Sequence, residues 1–137
     1  MIIVRFRPNV VTSNIRYLKG FMSILKKLFR WECGRQKTGY SKMLLCGVYW
    51  PIKFDIYLLK FPEGSEIPIH RDRIDAGRHF RLNIVLKNAQ QGGEFVCSDS
   101  LFETERIKLF RPDISEHKVS KIIKGNRYLL SIGWVNK

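Results

Sequence analysis

From about residue 43 to the C-terminus the chain is a series of short runs in which apolar and polar side chains alternate or apolar ones cluster. These runs occupy 43–50, 53–61, 66–72, 79–86, 93–97, 106–110, 117–123 and 127–135. Each is rich in Val, Ile, Leu, Phe or Tyr and is five to nine residues long, which predicts strands. Turn-forming residues separate them: Pro51, Pro62 to Gly64, Asp75 to Gly77, Gln90 to Gly93, Pro112 and Lys124 to Asn126. Eight short strands at this spacing predict an antiparallel sandwich or barrel.

The N-terminal third has a different period. Residues 1–6 read as a short strand, and Thr12 or Ser13 can cap a helix. Apolar residues then fall at 15, 18, 22, 25 and 29, with Arg16, Lys19, Lys26, Lys27 and Arg30 over much of the remaining surface. This spacing predicts a basic amphipathic helix to about Trp31, packed by its apolar stripe on one outer face of the β region. The expected organisation is one domain spanning 1–137, with a strand and supporting helix in 1–42 and a β core in 43–137. Hydrophobic residues make up 45% of the chain, enough to bury a core, so disorder is excluded.

Charge adds a field to this frame. Lys and Arg number 25 against 12 Asp and Glu, a formal net charge of +13 that attracts polyanions and acidic surfaces. The charge is dispersed, without the basic block that marks a nucleic-acid-binding tail. Cys33, Cys46 and Cys97 are odd in number and form no Cys-x-x-Cys pair, which argues against a disulfide framework or a zinc site. No run is long and apolar enough to span a membrane or to serve as a secretion signal, so a cytoplasmic protein is expected.

The chemistry starts at residues 66–72, EIPIHRD, where His70 and Asp72 are two apart on a strand-like run and so share a face. An imidazole and a carboxylate side by side can give a divalent metal two ligands, and a third must come from elsewhere. In the C-terminal third His117 is followed ten residues later by Arg127, within a stretch that ends at Trp134. This order of His-x-Asp, distal His and a basic residue about ten positions on resembles the Fe(II)- and 2-oxoglutarate-dependent oxygenases, especially their prolyl-hydroxylase-like branch. Phe61 to Gly64, RLNIVL at 81–86 and GGEF at 92–95 extend the resemblance over roughly 55–135.

The resemblance implies a double-stranded β-helix, a jelly-roll or cupin-like barrel, which agrees with the strand count. It implies Fe(II) held by His70, Asp72 and His117, with 2-oxoglutarate and dioxygen in the remaining positions and ascorbate as a candidate reductant. Arg127 is then expected to pair with the far carboxylate of 2-oxoglutarate, with Ser131 on the same strand face adding a hydroxyl. A further contact is expected from Tyr57, Lys60 or Asn83. With Asp72 present, hydroxylation is the implied outcome. The nucleic-acid dealkylases of this superfamily carry a second arginine six residues after the first, where this chain has Gly133. A short chain has little length for lids, so an open site and a macromolecular substrate are expected, a protein side chain first and nucleic acid second. A non-catalytic basic jelly-roll binding nucleic acid is the remaining alternative. His79 is read as a loop or substrate-side residue, Asp75, Asp113 and Glu116 as solvated loop carboxylates, and Cys97, Tyr128 and Trp134 as packing.

Overall fold

A computed structural model describes Met22, residues 25–48 and residues 51–137. The expected strand at 1–6 and most of the expected helix lie outside the described residues. Where they are described, residues 25–27 are helical, Leu28 bridges to Leu44, and Trp31 already begins a strand. The helix therefore does not run to Trp31: that segment joins the sheet instead, satisfying its backbone by pairing.

The strands are β1 (Trp31–Cys33), β2 (Ser41–Val48), β3 (Lys53–Phe61), β4 (Ile67–His70), β5 (Arg78–Lys87), β6 (Gln91–Gly92), β7 (Phe95–Cys97), β8 (Ser100–Glu103), β9 (Ile107–Phe110), β10 (His117–Val119), β11 (Ile122–Lys124) and β12 (Arg127–Asn136). Seven form a large sheet in the order β1-β2-β3-β12-β5-β9-β8, three a smaller one in the order β4-β10-β7, and β11 pairs with β6. All these strand pairs are antiparallel. The C-terminal strand sits at the centre of the large sheet, between strands that precede it by many residues, which is the crossing pattern of a jelly roll.

β12 shows how sequence becomes wall. Arg127, Leu129, Ser131 and Gly133 are buried while Tyr128, Leu130, Ile132 and Trp134 are only partly so, as the two-residue period requires. Trp134 stacks on Phe80 of β5 at 5.5 Å on the outward face, consistent with a packing role. Inside, Tyr40, Phe61, Val119, Ile122 and Leu129 form a core cluster, and all of these but Ile122 also line a cavity of about 320 Å³ between the two sheets.

Candidate metal centre

Strand register builds the site. β10 pairs with β4 so that His117 lies directly across from His70, with ring centroids 4.3 Å apart. Asp72 follows the end of β4, and its backbone N–H donates to Pro112 O at 2.7 Å, which turns its side chain towards the histidines. Asp72 Oδ1 lies 3.6 Å from His70 Nε2. One ligand atom from each of His70, Asp72 and His117 falls within 4.8 Å of the others, close enough for one ion.

The tautomers suit a metal. His70 Nδ1 is 2.9 Å from Pro68 O, and His117 Nδ1 is 3.0 Å from Ser115 O, in each case the carbonyl two residues back. A carbonyl only accepts, so both rings carry their proton on Nδ1 and have an unprotonated Nε2, the tautomer a cation needs. Burial pushes the His117 pKa down, and the neighbouring His70 adds to this, so the ring stays in its neutral, ligating form. Tilted contacts with Phe110 at 5.0 Å and Phe95 at 6.2 Å hold the His117 plane.

Opposite this triad, the inner face of β3, β12 and β5 presents side chains in register rows. One row is apolar: Leu59, Leu129 and Val85. The next carries Tyr57, Ser131 and Asn83; Ser131 Oγ donates to Asn83 Oδ1 at 2.7 Å. The third carries Asp55, Gly133 and Arg81. Arg81 Nη1 donates to Ser131 Oγ at 3.0 Å, and Nη2 lies 3.3 Å from Asp55 Oδ1, a charge contact without hydrogen-bond alignment. A Cβ on Gly133 would lie 2.7 Å from Arg81 Nη2 and 2.8 Å from Asp55 Oδ1, so glycine leaves the room that this pair fills.

The expected site residues divide accordingly. His70, Asp72, His117, Tyr57, Asn83 and Ser131 all line the cavity. Lys60 does not; it sits in register with Tyr128 on the outward face. Arg127 is 4% exposed and also does not line the cavity: its guanidinium lies 5.7 Å from the centroid of Phe61, which does. Its Nε and Nη1 are buried without a hydrogen-bond partner among the described residues, and burial pushes its pKa down to about 10.

Two of these readings are corrected in part. His79 is in β5, buried and facing the cavity, because the strand starts at Arg78 and its polar positions 79, 81 and 83 share the inner face. Asp113 lies in the turn after β9, as expected, but its side chain is only 8% exposed, since it pairs with Arg111 Nη2 at 2.6 Å. Burial alone raises its carboxyl, and the Arg111 bonds outweigh that and leave it below the usual range. Asp75 and Glu116 are exposed as expected. The Cys97 thiol points to Asp99 O at 3.6 Å and not into the cavity. The residues missed by sequence reasoning are Asp55, Arg81 and the turn before β2, where Arg35 Nη2 reaches Asp72 Oδ2 at 3.2 Å and Gln36 Nε2 lies 2.9 Å from His70 Nε2. Polar residues at alternate positions of β5 were a signal for Arg81.

His79 gives a pH prediction. Its pKa falls to about 4 through burial and then the Arg81 charge, 3.3 Å away. The unfolded chain takes up this proton near pH 6.5 and the folded one only near 4, so stability is lost as pH falls through that window. The expected loss at pH 4.5 is roughly 2 to 3 kcal/mol relative to pH 7, at about 1.4 kcal/mol per unit. Urea unfolding of wild type and His79→Gln at both pH values checks it; an equal acid loss in both chains would exclude His79 as the source.

Neither a family model nor a curated protein matches the sequence. Solved structures do. KdgF from Halomonas sp. aligns over 79% of this chain and 87% of its own, with TM-score 0.53 and 14% identity. A cupin-2 domain from Rhodospirillum rubrum aligns over 79% and 70%, with TM-score 0.52 and 12% identity. A prolyl-4-hydroxylase from Pseudomonas putida aligns over 62% and 52%, with TM-score 0.49 and 20% identity. The chain has the cupin, jelly-roll fold.

Proposed function

We propose that this chain is an Fe(II)- and 2-oxoglutarate-dependent dioxygenase that hydroxylates a macromolecular substrate, a protein side chain first. One observation carries the reading: His70, Asp72 and His117 converge on a cavity with both Nε2 lone pairs free of protons. Two imidazoles and one carboxylate on one face fit the donor set of non-haem Fe(II) and leave adjacent positions open. Iron with 2-oxoglutarate and dioxygen supplies the oxidising chemistry, in which decarboxylation to succinate is coupled to substrate hydroxylation.

The rest is the work of the chain. Pro68 O and Ser115 O hold the imidazole tautomers. The buried guanidinium of Arg127 has two nitrogens unpaired among the described residues, and a buried cation in that state fits a carboxylate partner. Ser131 donates its one hydroxyl proton to Asn83 and accepts from Arg81, so it fixes these two polar side chains in the cavity wall. Phe95, Phe110 and Val119 exclude water from one side. At the open side Arg35, Lys42, Lys53 and Arg73 line the cavity, so an incoming acidic segment is attracted. No helix among the described residues is long and apolar enough to cross a membrane.

Anaerobic addition of Fe(II) and 2-oxoglutarate is expected to give a weak visible chelate band, and admission of oxygen to give succinate. His70→Ala is expected to give neither. A folded, metal-loaded wild type that forms no succinate would leave the jelly roll without this chemistry, and the basic surface would become the functional element.

A further inference from the structure

The triad has an occupant supplied by the chain itself. Gly34 to Tyr40 forms the turn between β1 and β2, closed by Gly34 N–H to Tyr40 O at 2.9 Å and Lys37 N–H to Gly34 O at 3.0 Å. Gly34 permits it, because a Cβ there would lie 2.0 Å from the Tyr40 ring. The base of the turn is tied to the approach to β4, with Glu66 N–H donating to Thr38 O at 3.3 Å. Its tip reaches two of the three metal-ligating side chains.

The hydrogen bonds fix which way the Gln36 amide faces. The Arg35 backbone N–H donates to Tyr40 Oη at 3.0 Å, leaving the phenol proton free to go to Gln36 Oε1, with which it is in short contact. With Oε1 taken, Gln36 presents its NH₂ to His70, 2.9 Å from Nε2. His70 donates through Nδ1 to Pro68 O, so Nε2 is the acceptor. An amide N–H therefore sits on the lone pair that a metal needs. Beside it, Arg35 Nη2 lies 3.2 Å from Asp72 Oδ2 and places a positive charge on the third ligand.

We propose that the Gly34–Tyr40 turn caps the metal-free site and competes with the metal: Gln36 holds His70 Nε2 and Arg35 holds Asp72, and both are displaced when the ion binds. The displaced pair then stands beside the metal's open positions, on the cationic side of the cavity. This rests on the metal-binding part of the proposed function and on none of its oxygen chemistry.

The sign of one substitution separates a competitor from a fourth ligand. If Gln36 competes, Gln36→Ala binds Mn(II) more tightly than wild type, roughly three- to tenfold for the loss of one hydrogen bond to Nε2. Arg35→Gln is expected to tighten binding less, about twofold, because that side chain is 61% exposed and its charge is screened. Lys37→Gly changes the same turn at a residue whose φ of 56° glycine adopts without strain, and it touches no ligand, so it is expected to leave the affinity unchanged. The dissociation constants are read from the free Mn(II) electron paramagnetic resonance signal, without 2-oxoglutarate. Weaker or unchanged binding by Gln36→Ala overturns the proposal, as does equal tightening by Lys37→Gly. Failure of wild type and Gln36→Ala alike to bind Mn(II), Co(II) or Ni(II) removes the metal centre itself, and the cap with it.

Discussion

Arg127→Met is expected to make the folded chain more stable while lowering its affinity for 2-oxoglutarate about a hundredfold. Burial lowers the arginine pKa to about 10, so the cation is disfavoured in the native state by about 3 kcal/mol, at roughly 1.4 kcal/mol per unit. The sign is that of a base whose folded pKa is depressed: the penalty is complete below about pH 10 and is relieved as pH rises above it. Methionine has similar length and no charge, so it removes the penalty while keeping contact with Phe61. Urea unfolding at pH 7 is expected to show a gain of about 1 to 3 kcal/mol. The same deletion leaves a bound carboxylate without its buried partner, which typically costs 2 to 5 kcal/mol of affinity, or about 30- to 4000-fold. Arg81→Met is the necessary companion, since Arg81 lines the cavity and is already engaged by Asp55 and Ser131. Loss of 2-oxoglutarate binding in Arg81→Met with retention in Arg127→Met would make Arg81 the anchor.

The opposed signs follow from what the position lacks. A structural arginine this buried would carry a carboxylate or carbonyl partner, because an unpaired buried charge destabilises the fold with no compensation. Asp113 illustrates the paired case, 2.6 Å from Arg111.

How far the sequence disclosed this site depended on whether the information was local. The inward alternation of β12 is a property of a single strand, read directly from a two-residue period; the His-x-Asp spacing is local too, although Asp72 lies past the end of β4 and its backbone is held by Pro112 O. The pairing of His70 with His117 was not visible as geometry, because it depends on the register of β4 against β10; the resemblance supplied it. Arg81 was overlooked for the same physical reason. Its place is set by a row across three strands, Asp55 to Gly133 to Arg81, and none of these residues is near another in sequence. Gly133 was legible only as the absence of a second arginine, whereas in the fold its missing side chain makes room for an arginine from the neighbouring strand. Residues 34–40 looked like a connection because Gly34 and Gly39 interrupt any period, yet the turn they permit delivers Arg35 and Gln36 to the triad.

Metal is expected to stabilise the native chain by an amount that identifies its ligands. An ion that binds only the folded state, at a hundred times its dissociation constant, adds about 2.7 kcal/mol, which for a domain of this size raises Tm by roughly 10 °C. The rise is expected to be absent in His117→Gln. That variant keeps a side chain of similar reach against Phe110 and Phe95 but has no imidazole nitrogen to offer. Two nitrogen donors also set an order: at equal concentration the shifts are expected to increase from Mn(II) through Fe(II) and Co(II) to Ni(II). Calorimetric scans with each ion under anaerobic conditions check both. A shift that survives His117→Gln would assign the ion to another site, and equal shifts from Mn(II), Ni(II) and Mg(II) would indicate oxygen ligands alone. The same logic explains why His117 must be neutral to serve. Burial lowers its pKa below that of an exposed histidine, which favours the neutral ring whose lone pair a metal needs.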